Sequence, residues 1–246
     1  MPGYNSFARF YDGLMEDAEY GKRCDYILES AKRLNHKMGR TLDLACGTGS
    51  LTRELKKHGI DVFGVDASAD MLTEAMQKNY DEQTDIFYVN QEMQSLDLGE
   101  MIDTCVCTLD SINHITDADV LQQAFCRLSE HMESGGLFIF DVNTIYKHRE
   151  VLADNAFVAE NEDVFCAWQN ELDEDDTVNI YLDFFERDGE AYYRFQECFS
   201  ERAYSQEQLQ NMLKNAGFET VGFYDDLSFD APKNDSQRII CVATKN

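Results

Sequence analysis

Short apolar runs and amphipathic stretches alternate along most of the chain. Leu42 to Ala45 reads as a buried strand, and Gly47 and Gly49 then let the backbone turn with no Cβ in the way. Leu51 to Lys57 reads as the next helix, with Gly59 as its stop. Upstream, Cys24, Ile27, Leu28, Ala31 and Leu34 fall three and four apart, which predicts a helix over Tyr20 to Met38. Downstream, Asp61–Val65, Asp85–Val89, Met101–Leu109 and Leu137–Val142 read as strands, with helices starting near Ser68 and spanning Ala118 to Met132. Ser134-Gly135-Gly136 is expected to turn the last helix into the fifth strand. Strands alternating with helices predict a parallel sheet with ligands at its carboxyl edge.

From about residue 150 to 204 the period changes to two. Val164–Leu172, Thr177–Arg187 and Glu190–Tyr204 read as three antiparallel strands. Asp175-Asp176 marks one turn and Asp188-Gly189 a two-residue hairpin. Val178, Ile180, Leu182 and Phe184 share one face of the middle strand; Asn179, Tyr181, Asp183 and Phe185 share the other. The chain closes with a helix over Gln206–Asn215, stopped by Gly217, and strands over Glu219–Tyr224 and Gln237–Thr244. The expected division is 1–149 for the core with its N-terminal lead, 150–204 for a β insert, and 205–246 to complete the core.

Composition narrows the function classes. The chain has 246 residues, and a 43% apolar fraction is ample for a core. No run of 18 apolar residues predicts a membrane helix, and the first ten residues lack the apolar centre of a signal peptide. A net charge of −26, with no basic cluster beyond Lys56-Lys57, argues against nucleic-acid and anionic-membrane partners. The eight cysteines include no Cys-x-x-Cys pair, so no metal is expected; with no secretion signal, a reduced, cytoplasmic home is.

The candidate chemistry sits at predicted strand ends. A dinucleotide fingerprint wants a third glycine where Thr52 stands, which speaks against an NAD(P)-dependent oxidoreductase, the first rival reading. Asp66, seventeen positions after Gly49, can accept both ribose hydroxyls; it can equally cap the following helix. Asp110-Ser111-Ile112-Asn113-His114 ends the fourth strand. His114 can take a proton near neutral pH, or simply pack the next helix. Asp141, Asn143 and Tyr146 at the fifth strand's exit either line a substrate mouth or form the loop.

The form Asp43-Leu44-Ala45-Cys46-Gly47-Thr48-Gly49 resembles the first motif of the class I S-adenosylmethionine-dependent methyltransferases, and the likeness runs nearly the whole chain. It implies an α/β, Rossmann-like fold: a seven-stranded mixed sheet with helices on both faces, plus the small β insert after strand five. It implies S-adenosylmethionine as cofactor, held by Ala45, Gly47, Thr48, Gly49, Asp66, Ala67, Met71, Gln91, Glu92, Met93 and Leu109, with Tyr11 of the aromatic lead over its methionine end. The alternative reading of that lead is a plug for the sheet edge. Glu92 replaces an aspartate common in relatives. Ser111 to His114 is similar to a pattern in amino-sugar N-methyltransferases, which implies a small-molecule acceptor, an amine among the candidates, with His114 and Asp110 handling its proton. Ser111, Asn143, Tyr146, Trp168, Tyr181, Arg194 and Arg202 are the candidate substrate contacts. The insert is expected to lean over the pocket or to form a homodimer surface. The second rival is a binding module that keeps the cofactor site without turnover.

Overall fold

The computed structural model describes residues 18–161 and 163–246. Helix α1 (Tyr20–Arg33) leads into β1 (Arg40–Leu44), α2 (Ser50–Lys57), β2 (Asp61–Asp66), α3 (Ala69–Asp81) and β3 (Tyr88–Asn90). Then come β4 (Ile102–Cys107), α4 (Ala118–Glu130) and β5 (Met132–Asn143). The insert holds β6 (Ala156–Glu160), β7 (Val164–Leu172), β8 (Thr177–Asp188) and β9 (Ala191–Arg202). Helix α5 (Gln206–Asn215), β10 (Phe218–Asp225) and β11 (Arg238–Lys245) complete the core.

Seven strands form one mixed sheet in the order β10-β11-β5-β4-β1-β2-β3, with β11 antiparallel to both its neighbours. Helices cover both faces. On one, Ile27 of α1 and Leu51 and Leu55 of α2 pack on Val62, Val106 and Ile139. On the other, Phe125 of α4 and Leu209 of α5 pack on Phe138, Phe140 and Cys105. Neighbours along β5 therefore enter opposite cores, which is why its sequence reads as an unbroken apolar run. Each such side chain contributes about 1.5–3 kcal/mol by leaving water. The eight cysteines are all free, most of them buried in these cores.

Several local expectations are corrected. Helix α1 stops at Arg33, not Met38, because Asn35 turns left-handed (φ 52°) and closes the end: Asn35 N donates to Lys32 O and His36 N to Ala31 O. Ser134-Gly135-Gly136 is not a connecting turn. It lies inside β5 as a bulge, Gly135 at φ 80°, while the pairing jumps from Met132 opposite Ile102 to Leu137 opposite Thr104. The insert has four strands, not three; β6 is only five residues long and none of them is fully buried, so it carries little apolar signal. Asp188 pairs with Ala191, so the hairpin loop is Gly189-Glu190, one residue later than expected.

The inner face of the insert buries Val178, Ile180, Leu182 and Phe184 against Val164, Cys166 and Leu152. The alternation along the middle strand thus holds. The same face lies over the turns that follow β4 and β5. No helix among the described residues is long and apolar enough to cross a membrane. Tyr11 lies outside the described residues.

Candidate active site

Parallel pairing sets the carboxyl ends of β1, β2, β3 and β4 side by side, and four loops leave from there. After β1, Ala45, Gly47 and Gly49 all take positive φ (57°, 54° and 72°). A Cβ on Gly49 would stand 2.4 Å from Tyr88 Oη, whereas one on Gly47 would meet nothing within 4 Å among the described residues. Gly49 is thus a packing requirement, and Gly47 turns bare backbone towards open space. Thr52, at the place of a third glycine, is buried and donates to Asp43 Oδ2 at 2.5 Å. Burial raises the Asp43 carboxyl to about 7, and Thr52 opposes that rise.

After β2, Asp66 receives two backbone donors: Ser68 N on Oδ1 and Gly47 N on Oδ2, each at 2.7 Å. The cap of α3 is Ser68, whose Oγ accepts from Met71 N. Asp66 therefore ties the first two loops together and keeps lone pairs for a ligand. Ala67 O accepts from Asn90, Met71 is buried, and Thr48 is buried beside the turn. After β3, the Gln91 amide is spent on the Asp97 backbone, and exposed Glu92 accepts from Gln94. Met93 is half-buried against the core.

The turn after β4 is strained and held by ions. Leu109 and Asp110 are consecutive left-handed residues (φ 58° and 53°), a conformation costing each about 1–2 kcal/mol. Asp141 at the end of β5, 1% exposed, fixes them: Oδ2 accepts from Leu109 N at 2.9 Å and Oδ1 from Asp110 N at 2.8 Å. Arg238 of β11 donates to Asp141 Oδ1 at 2.5 Å and Asp110 Oδ1 at 2.6 Å, and Arg23 of α1 reaches Asp141 Oδ2 at 3.1 Å. Burial alone would raise the Asp110 carboxyl; Arg238, with Lys147 and His114, outweighs it and holds the group well below the usual carboxylate range.

This turn presents His114, 46% exposed, at the crevice. Desolvation keeps its imidazole below the ordinary value, with Asp110 and Asp66 pulling the other way, so the second and fourth loops share one electrostatic field. Phe199 packs on the ring at 5.1 Å between centroids, and Glu201 Oε1 lies 3.8 Å from Nε2. Asp110, His114 and Glu201 bring one ligating atom each within 4.8 Å of the others. Arg238 already occupies Asp110, so the cluster carries its own cation.

Of the candidate substrate contacts, Ser111, Asn143 and Arg202 are gathered here. Ser111 Oγ donates to Thr108 O at 2.8 Å. Asn143 is buried, donates to Glu201 Oε2 at 3.1 Å and accepts from Lys147 at 2.9 Å, so it braces the site rather than lining open space. Arg202 donates to Thr116 O at 3.1 Å. Asp141 is likewise a buried brace, not a mouth residue. Tyr146 is exposed at the exit of β5. Trp168 lies on the insert's inner face against Phe157. Tyr181 and Arg194 do not join the site: they stand on the outer face, Tyr181 bonded to Glu171 and Arg194 to Asp183. The sequence reading missed Glu201, Arg238, Lys147 and His148. An acid two places from Phe199 on an apolar strand face was the legible signal for Glu201; Arg238 lies 128 positions from its partner Asp110 and had none.

A family model described as "Methyltransferase domain" matches residues 41–136. The Bacillus subtilis (strain 168) protein named "Putative methyltransferase YqeM" is 33% identical over 99% of this chain and 97% of its own length. A crystal structure of an S-adenosylmethionine-dependent methyltransferase from Clostridium acetobutylicum superposes with a TM-score of 0.90 at 36% identity, covering 99% of each chain. A Streptomyces fradiae dTDP-3-amino-3,6-dideoxy-alpha-D-glucopyranose N,N-dimethyltransferase is 31% identical over 49% of this chain and 48% of its own length.

Proposed function

This chain belongs to the class I S-adenosylmethionine-dependent methyltransferases, and from that premise we propose that it methylates a small-molecule amine. The crevice suits the cofactor on its own terms. Gly47 offers backbone with room beside it, and Asp66 sits at the tip of β2 with its carboxylate already oriented by two amides. In this reading the ribose hydroxyls lie on Asp66, the methionine part along Ala45 to Gly49, and the adenine near Gln91 to Met93. S-adenosylmethionine, when bound, supplies an electrophilic methyl group on a sulfonium.

The protein's part is alignment, exclusion of water and handling of one proton. The strained Leu109–Asp110 turn fixes where His114 stands relative to the crevice. Asp110 stays ionised against Arg238, so it orients the turn and does not compete for the proton. The observation carrying the proposal is His114 itself: half exposed at the crevice, its imidazole held below the ordinary value by burial, with a carboxyl behind it. A net charge of −26 favours a cationic over a polyanionic acceptor, and free cysteines suit a reduced cytoplasm.

Calorimetric titration with S-adenosylmethionine, beside Asp66→Ala, tests the cofactor. The variant should bind about 30-fold more weakly, the worth of roughly 2 kcal/mol for a charge-assisted hydrogen bond. Equal affinity in the two proteins refutes the ribose role. A labelled-methyl screen over amines, phenols and carboxylates then separates an enzyme from a binding module: binding without turnover on any of them supports the module.

A further inference from the structure

The insert delivers an acid–aromatic–acid run to the pocket. Glu197, Phe199 and Glu201 alternate along β9 and project to the side where Phe199 meets His114. Glu197 Oε1 is buried with no hydrogen-bond partner among the described residues. Glu201 is 4% exposed and stands between two imidazoles, Oε1 3.8 Å from His114 Nε2 and Oε2 3.8 Å from His148 Nε2. His148 is fully buried on the π turn Lys147–Leu152, a rare local geometry that recurs at functional sites. Its Nδ1 lies 2.7 Å from Asp176 O and must be the protonated nitrogen there. That leaves Nε2 with a lone pair, and it has no hydrogen-bond partner among the described residues. An ionised Glu201 would therefore put two sets of lone pairs face to face in a buried space. One proton held by the carboxyl removes the conflict.

Resting on the methyltransferase reading, we propose that Glu201 is a positioning residue shared by His114 and His148, and that the three form a proton-accepting unit for an acceptor that arrives as a primary or secondary ammonium. His114 Nε2 takes one proton from the ammonium, leaving a neutral amine. The amine lone pair forms the new N–C bond as the C–S bond breaks, and that bonding pair stays on sulfur. The product leaves as the methylated ammonium, and the transferred proton leaves through His114 to water. As His114 becomes an imidazolium, Glu201 passes its own proton to the lone pair on His148 Nε2, and the resulting carboxylate stands behind the imidazolium, as in a triad. Phe199 and Glu197 offer a π face and a second carboxyl to the cation.

The charged and titratable groups around Glu201 are Asp110 and His114 after β4, Lys147 and His148 on the π turn, and Arg238 on β11. Arg238 neutralises Asp110, and Lys147 is tied to Asn143. Burial, then the Asp110 carboxylate, pushes Glu201 well above the ordinary carboxylate range. Burial keeps both imidazoles below theirs. The unit therefore holds a proton on Glu201 at neutral pH and sheds it as pH rises.

NMR of the five histidines in the full chain, with no cofactor or acceptor added, tests this directly. His114→Gln and His148→Gln assign the two signals. In the wild type both should report one shared step above neutral pH. Glu201→Gln should abolish that step and leave the His114 titration at lower pH in place, because the carboxyl is already neutral there; Glu201→Asp should restore a step. No shared step in the wild type overturns the proposal whatever the variants do, and so does an unchanged step in Glu201→Gln. Because no cofactor is present, failure here leaves the calorimetric test of the cofactor untouched. With an amine acceptor in hand, Glu201→Gln should lower kcat about 100-fold, with Glu201→Asp recovering part of it.

Discussion

Asp141 gives the sharpest test of how the site is held. Its carboxylate accepts two backbone amides and faces two arginines, Arg23 and Arg238, at 1% exposure. Asp141→Ala leaves both guanidiniums short of a partner, orphans the Leu109 and Asp110 amides, and removes the brace from two left-handed residues. Removing one member of a buried ion network costs about 3–5 kcal/mol, because the remaining charge is left uncompensated in low dielectric. For a chain of this length that is roughly a 10 °C fall in Tm. Asp141→Asn keeps one acceptor oxygen but turns a second donor towards the arginines and amides, so it should fall between wild type and Ala. Urea unfolding measures the loss, and Arg194→Ala is the control: its exposed pair with Asp183 should cost less than about 1 kcal/mol. If Asp141→Ala costs no more than the control, the network does not hold the turn and the reasoning is wrong.

Three further outcomes follow from the same geometry. Gly49→Ala, at φ 72° with its Cβ 2.4 Å from Tyr88 Oη, should lower urea stability by more than about 2 kcal/mol; Gly47→Ala should cost only about 1 kcal/mol yet weaken S-adenosylmethionine binding by calorimetry. Asp43 sits at about 7 in the fold against an ordinary value near 3.8, so the native state holds its proton more tightly than the unfolded chain. Stability from this group is present below about pH 4 and is lost as pH rises towards 7. Asp43→Asn should remove that slope, so the ratio of wild-type to variant stability falls between pH 4 and 7; parallel denaturation curves at all pH values contradict it. His114→Ala should lower amine turnover about 100-fold with little change in S-adenosylmethionine affinity, and equal rates reduce His114 to packing.

The periodicity of the chain determined more than its element boundaries did. Helix α5 lies where the spacing put it, and the two-residue period located β7, β8 and β9. Local hydrogen bonding decided what periodicity does not encode: the left-handed Asn35 that ends α1, the bulge inside β5, and the slip of the hairpin to Gly189-Glu190. The loops after β1 and β2 were legible because each lies within a few residues of its own strand, so motif and geometry coincide. The outward face of the insert was not. Tyr181 and Arg194 had suitable chemistry, but strand parity turned them to the outer face.

The sequence by itself determined the layered α/β class and the glycine turn, because buried strands and tight turns restrict residue type locally. Only the tertiary structure decided the ionic end of the site. There Arg238 meets Asp110, Asp141 clamps the β4 turn, and Glu201 reaches His114 from an inserted sheet. These contacts join residues far apart in the chain, and a charge shows nothing of its partner until folding removes the water between them.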